Sequence, residues 1–334
     1  MNILDHARAT GEESVVDFLG SAREALQLRV RRSLGIRGTA PQRCDDPATS
    51  YLPVDGAARA VHGDLASMLV GGIASLLLQL AHPLVMTGVA QHSRYRDDPL
   101  GRLSRTASFV GTTTYGSQKD AAAAIARVRA VHTRVVGVTD DGLSYDAQQS
   151  RLLEWVHVSE LSMFLAGVQA YGNRRFDAAT EDQYVREMAT VAVDLGVLNP
   201  PRCKSELDSR LEEFRPELRL IDQGREARDF VLRGVSRGPR RAAYATLVAA
   251  AIGILPSWAR GQLEIPSIPL LDTVVVRPAA TLLCATVRAA VPARPASGRD
   301  RQSSVDANHL SRYVRRPGEG DDDVRHVLGG STAL

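Results

Sequence analysis

Along most of the chain apolar residues recur at intervals of three and four, the spacing of one face of an α-helix. Convincing runs of alternating apolar and polar residues are missing, so the pattern predicts an all-α protein. A first amphipathic helix is expected over 12–33, closing on Arg29, Arg31 and Arg32 before Gly35. Two more are expected over 61–81 and 84–95, separated by Pro83, because proline breaks a regular helix. Asp97-Asp98-Pro99 predicts the start of a helix towards Val110, since proline suits the first turn. Further helices are expected at 117–136, 146–171, 180–195, 205–214, 223–232, 240–254 and 271–291. Thr180 and Gln183 read as a capping box, and Thr139-Asp140-Asp141-Gly142 as a loop joining helices. From Pro292 onward Arg, Asp, Ser, Gly and Pro dominate, and a disordered tail is expected. The expected organisation is one globular helical domain over 10–291 and a flexible polar tail over 292–334.

One stretch tests the reading of a water-soluble domain. Ala66 to Ser93 carries no Asp, Glu, Lys or Arg, and a bilayer span needs only about 20 apolar residues. Gln79, His82, Gln91, His92, Gly71-Gly72 and Pro83 interrupt it, so a buried central helix is favoured over a span.

Composition narrows the partners. With 44% hydrophobic but only 5% aromatic residues, Leu, Val and Ala must fill the core. The net charge is +3, and no Lys/Arg stripe interleaved with aromatics points to nucleic acid. Cys44, Cys203 and Cys284 lie far apart with no CxxC pair, which argues against a zinc site or a disulfide framework and fits a reducing cytosol. MNILDHARATGEES lacks the basic-then-apolar order of a secretory signal, so a cytoplasmic protein is expected. The basic end of the first helix leaves peripheral contact with anionic lipid open.

Candidate chemistry centres on histidine. Ile125, Val128, His132 and Val135 share one helical face, and Leu153, His157, Leu161, Phe164 and Val168 form another apolar stripe. Both imidazoles are thus expected to point inward. A buried neutral imidazole is a good iron ligand, although a core histidine satisfied by hydrogen bonds has the same signature. Arg102, Arg105 and Thr106 share one side of a helix, where two guanidinium groups and a hydroxyl suit a propionate or an oxygen gaining negative charge. A solvated basic face is the ordinary use of such residues. Glu154-x-x-His157 raises a di-iron alternative, but the matching Asp306-x-x-His309 and Asp323-x-x-His326 lie in the polar tail. No P-loop, GxGxxG or GxSxG motif is present.

Three blocks, LLLQLAHPLVMTGVAQHSRYRDDPLGRLSRT, ARVRAVHTRVVG and LLEWVHVSELSMFLAGVQAYG, occur in this order. Together with the late ILPSWAR element they resemble the rubber oxygenase (latex clearing protein) and MpaB-type oxygenase family over roughly 55–260. The resemblance implies haem b in a globin-like helical core, with His132 as the iron ligand and His157 beside the haem. It also places Arg102, Arg105 and Thr106 on the distal side, where rubber oxygenases have Arg-x-x-Lys-Thr. Arginine stays protonated and does not ligate iron, so a five-coordinate or water-bound resting state is expected. Val136 stands where many relatives have Arg, a departure that bears on a propionate contact. The implied activity is oxidation of a small apolar substrate with O₂. Rubber cleavage itself is not implied, because that polymer is insoluble and extracellular. A haem-binding carrier or sensor without turnover fits the same ligand. A membrane-associated helical protein without haem fits the uncharged run and the apolar segment at 271–291.

Overall fold

The computed structural model describes residues 42–93, 95–234, 239–266 and 272–290. The expected first helix and polar tail lie outside the described residues. Helices α1 (Ala57–His62), α2 (Leu65–Gln79), α3 (Pro83–His92), α4 (Pro99–Tyr115) and α5 (Gln118–His132) come first. A short hairpin follows, β1 (Val136–Val138) paired antiparallel with β2 (Ser144–Asp146). Then come α6 (Ser150–Tyr171), α7 (Ala178–Leu195), α8 (Lys204–Glu213), α9 (Asp222–Arg233), α10 (Pro239–Ile254), α11 (Ser257–Gln262) and α12 (Arg277–Ala290), the last preceded by a π-turn at Asp272–Val276. The protein is therefore mostly helical, as the periodicity predicts.

The helix starts follow from local chemistry. Asp64 accepts from the Ala66 and Ser67 amides at the start of α2, and Asp98 accepts from Gly101 N–H with Pro99 in the first turn of α4. Ser117 does the same for α5. Glu187 of α7 receives the Ala57 and Ala58 amides at 3.1 and 2.7 Å, so a carboxylate from another helix satisfies the start of α1.

The centre of the core is the antiparallel pair α2–α6. A Cβ on Gly71 would sit 2.7 Å from Met163 O, and one on Gly167 2.8 Å from Ser67 O. Only glycine lets the two backbones approach this closely. Trp155, Leu161, Leu165, Leu77, Leu78 and Val70 fill the surroundings. Helix α10 packs on α2, α8 on α6, and α1 on α7. Helices α4 and α5 pack against each other and reach the body chiefly through α1 and α7, rather than lying along the central pair.

Several sequence expectations need correction. Asp141-Gly142 joins two strands, not two helices. Gly142 takes φ 85°, and Thr139 accepts the Leu143 amide through its hydroxyl, which closes a tight turn. Each strand has three residues, too short to show alternation. Helix α5 therefore stops at His132 instead of 136. The cap of α7 is Asp177, which accepts the Thr180 amide, so Thr180 is inside the helix and the capping box is displaced. The uncharged run is not one straight span, because α2 and α3 meet at a 102° bend. The segment Asp272–Ala290 is long and apolar enough to cross a membrane, with only 17% of it buried.

Candidate functional site

Two stripes of half-buried residues mark an internal boundary. On α2 they are Leu69, Gly72, Leu76 and Gln79, spaced at i, i+3, i+7 and i+10. On α6 the half-buried members include Glu160, one turn from His157. The Phe164 ring lies 3.9 Å from where a Gly72 Cβ would be, so Gly72 and Phe164 meet on one side of the α2–α6 pair.

His157 is buried, and its Nε2 has no hydrogen-bond partner. Burial pushes its pKa down to about 4, so the ring is neutral. Glu160 has neither a hydrogen bond nor an ion pair among the described residues, and burial raises its carboxyl to about 7. Its side chain is half-buried on α6, one turn from His157.

A closed polar chain links α4, α1 and α7 through Thr114, His62 and Tyr184. Thr114 Oγ1 donates to Val110 O at 2.6 Å, so it must accept from His62 Nδ1 at 2.7 Å. His62 Nε2 is then the acceptor for the Tyr184 hydroxyl at 2.9 Å. Burial holds His62 near pKa 3 and raises the Tyr184 phenol, with the Glu160 carboxyl adding to the latter shift. His62 also meets Phe164 edge-on at 5.5 Å, which ties the chain to α6. The tyrosine and threonine of this chain escape a search for ligand types, because nothing local links Thr114, His62 and Tyr184.

The sequence-predicted residues divide. His132 ends α5 half-buried, and neither ring nitrogen has a hydrogen-bond partner among the described residues. Burial lowers its pKa, and the Asp146 carboxylate opposes the shift. Arg102 is half-buried, donates to Ser93 Oγ at 2.9 Å and is held below the usual arginine pKa by desolvation and by Arg105. Arg105 and Thr106 are exposed, and Arg105 pairs with Asp98 at 3.3 Å. Val136 lies on β1 with its side chain half in solvent. Glu154 is engaged by Arg210 at 3.0 Å and Arg151 at 3.4 Å. Among the described residues no group of three or more His, Cys, Asp and Glu gathers into a metal site.

Residues 59–289 match the family described as ER-bound oxygenase mpaB/B'/rubber oxygenase, catalytic domain. The chain belongs to this family. No curated protein and no solved structure is significantly similar to it. The oxygenase domain thus spans α1 to α12 and includes the half-buried stripes, the His62–Tyr184 chain and His132. The oxygenase match also settles how the three sequence blocks belong together, since all of them fall in one catalytic domain.

Proposed function

We propose that the protein is a haem b-dependent oxygenase that acts on a small apolar substrate with O₂. The observation that carries this reading is His132, a half-buried imidazole with no hydrogen-bond partner among the described residues at the C-terminal end of α5, within the oxygenase domain. A ligand imidazole needs a free lone pair, and neither ring nitrogen of His132 is spent on a protein partner among the described residues. The remaining donor set fits the same group. Haem brings its own nitrogens and needs one protein ligand, whereas a di-iron centre needs several carboxylates and histidines. The half-buried apolar stripe on α2 suits a flat hydrophobic ring, and Arg102 is a desolvated cation suited to a propionate.

Bound haem would supply the iron at which O₂ is activated. The chain's own part is binding, orientation and electrostatics. His132 would hold the iron. Arg102 would hold a propionate or stabilise negative charge developing on oxygen, and desolvation strengthens such an interaction. Arg105 and Thr106, on the same helix, would join Arg102 if α4 turns inward when the cofactor is bound. His157 would border the cofactor from α6, and the apolar walls would exclude water from the reacting centre. A cytoplasmic location goes with this reading.

The test is the absorption spectrum of the purified protein. A Soret band that His132→Ala removes supports the reading; an absent band after expression with haem supply, or one that survives His132→Ala unchanged, overturns it. A second reading, membrane association, is favoured by the thinly covered apolar segment Asp272–Ala290. Peripheral attachment would be compatible with the oxygenase reading, and carbonate extraction of membranes distinguishes it from a true span.

A further inference from the structure

We infer that the outer face of α5 and of the hairpin that follows it is the docking surface for an acidic electron-carrier protein that reduces the haem iron. The inference deepens the proposed oxygenase reading and rests on it for the iron at His132. Around His132 the chain carries three exposed cations, Arg127, Arg129 and Arg134. Between and beyond them lie exposed valines: Val131 is 50%, Val136 49% and Val138 54% exposed. Arg127 and Val131 are four apart and share one face of α5. Val136 and Val138 alternate with half-buried Gly137, so both point outward from β1. His132 comes five residues after Arg127 and is turned roughly 140° from it around the helix. An electron arriving at the outer face therefore has about one helix width, roughly 10 Å, to cross.

Charge decides the occupant. The Arg127 and Arg134 guanidinium groups have no partner among the described residues, and Arg129 donates to a backbone carbonyl, Asp194 O, at 3.0 Å. The neighbouring carboxylates are already engaged. Asp194 accepts from the Tyr51 hydroxyl at 2.6 Å, Asp120 from the Ser117 hydroxyl at 2.7 Å, and Asp141 pairs with Arg219 at 2.5 Å. A second copy of this chain is disfavoured, because a two-fold contact would set this basic face against itself. Anionic lipid is disfavoured, because exposed Asp140 and Asp141 at the tip of the same hairpin would be carried into the headgroups. Nucleic acid would seek aromatic rings to stack on, and the face offers valines instead. A protein with carboxylates around an apolar centre answers both the arginines and the valines.

The partner is an electron carrier because of what lies beneath the face. Haem takes up O₂ as iron(II), so an iron(III) resting state needs one electron first. That electron leaves the reduced carrier, which ends oxidised by one, and iron(III) becomes iron(II). No bond is made or broken and no proton moves in this step. The face is also held still. Ala147 donates to Val135 O at 2.9 Å, and the Tyr145 hydroxyl to Gln91 at 2.5 Å, so the end of α5 and the hairpin present one fixed surface. A preorganised surface loses little freedom on docking.

The experiment uses two acidic carriers as probes, a plant-type iron–sulfur ferredoxin and a flavodoxin. Their binding to the full-length protein is measured by calorimetry, and haem reduction by each is followed at the Soret band. At least one carrier is expected to bind, with Kd rising at least about tenfold between about 20 and about 200 mM salt, because unlike charges are screened. Joint substitution of Arg127→Glu and Arg134→Glu should weaken binding and carrier-driven reduction at least about tenfold. Dithionite needs no docking surface and should reduce variant and parent at rates within about twofold. Folding is read from the helical circular dichroism; if the double variant fails to fold, Arg127→Gln replaces it, with an expected loss of at least about threefold. The inference is overturned if neither carrier binds or if the charge substitutions leave binding unchanged. It is equally overturned if the same substitutions abolish binding to phosphatidylserine vesicles, to single-stranded RNA or to a second copy, read by sedimentation. A haem-containing protein that dithionite reduces but neither carrier touches sinks only the docking surface. A haem-free protein that still binds a carrier in the charge-dependent way sinks only the cofactor assignment.

Discussion

Arg105 reaches back to Asp98, the N-cap of its own helix, at 3.3 Å, with 66% of its side chain in solvent. An exposed pair of this kind contributes at most about 1 kcal/mol. Arg102, one turn earlier, is the half-buried member of the pair. Arg102→Ala should therefore lower haem retention or turnover by tenfold or more, the order expected when a desolvated charged donor is removed. Arg105→Ala should change either by less than about threefold if the helix keeps this orientation with cofactor bound. Equal losses in the two variants, measured by haem titration and O₂ consumption, would show that α4 rotates inward on loading.

His132→Ala should abolish haem binding while leaving the fold intact. The ring is only half-buried and makes no hydrogen bond among the described residues, so its removal leaves no orphaned partner. The urea midpoint of the haem-free protein should shift by less than about 1 kcal/mol in stability. A large loss of stability would mean that the side chain holds the core together and would weaken its assignment as a ligand.

Acid should destabilise the haem-free protein in a way that Glu160 partly hides. Burial puts His62 near 3 and His157 near 4, against about 6.5 for a free imidazole. The unfolded chain therefore takes up protons that the native state refuses, and stability falls as pH drops from about 6.5 towards 4. Glu160, raised to about 7, has the opposite sign. Its native proton is lost from the unfolded chain above about 4.5, so its contribution to stability declines as pH rises to 7. Glu160→Gln should remove that opposing contribution while leaving those of His62 and His157 in place. In urea titrations the slope between about pH 4.5 and 6.5 should steepen by about 1.4 kcal/mol per unit relative to the unsubstituted protein. An unchanged slope would show that Glu160 is solvated.

Tyr184→Phe should cost roughly 1–3 kcal/mol, because it leaves His62 Nε2 as a buried acceptor without a donor. Gly71→Ala should cost a similar amount or more, since the added Cβ meets the Met163 carbonyl at 2.7 Å and backbone atoms yield little. Thermal or urea unfolding checks both, and loss of helix content in Tyr184→Phe beyond that of Gly71→Ala would show a wider role for the hydrogen-bonded chain.

Periodicity was enough to read the helical class, because apolar spacing over ten or more residues leaves little ambiguity. It also placed His157 on a buried stripe, since all five members from Leu153 to Val168 are buried. The hairpin at Val136–Asp146 was beyond it: three-residue strands carry no period, and the turn depends on a Thr139 hydroxyl contact. Arg102, Arg105 and Thr106 were legible as one face, but spacing on a helix says nothing of which edge of that face meets the core. Glu160 was missed because a carboxylate among apolar residues reads as an interruption. Its importance rests on the tertiary neighbours that deprive it of partners.

The hairpin ties the end of α5 to the body of the protein. Its turn is held to the start of α9 by Arg219–Asp141 at 2.5 Å and Gln223–Asp140 at 2.9 Å, and Tyr145 is fastened to Gln91 and His92 of α3. The end of α5 that bears His132 is thereby clamped, with Val135 O receiving the Ala147 amide at 2.9 Å. The middle of α4, exposed over 105–108, lacks such a clamp and is the part expected to open first. If His132 holds the iron as proposed, it stands as a fixed post that needs no rearrangement on loading.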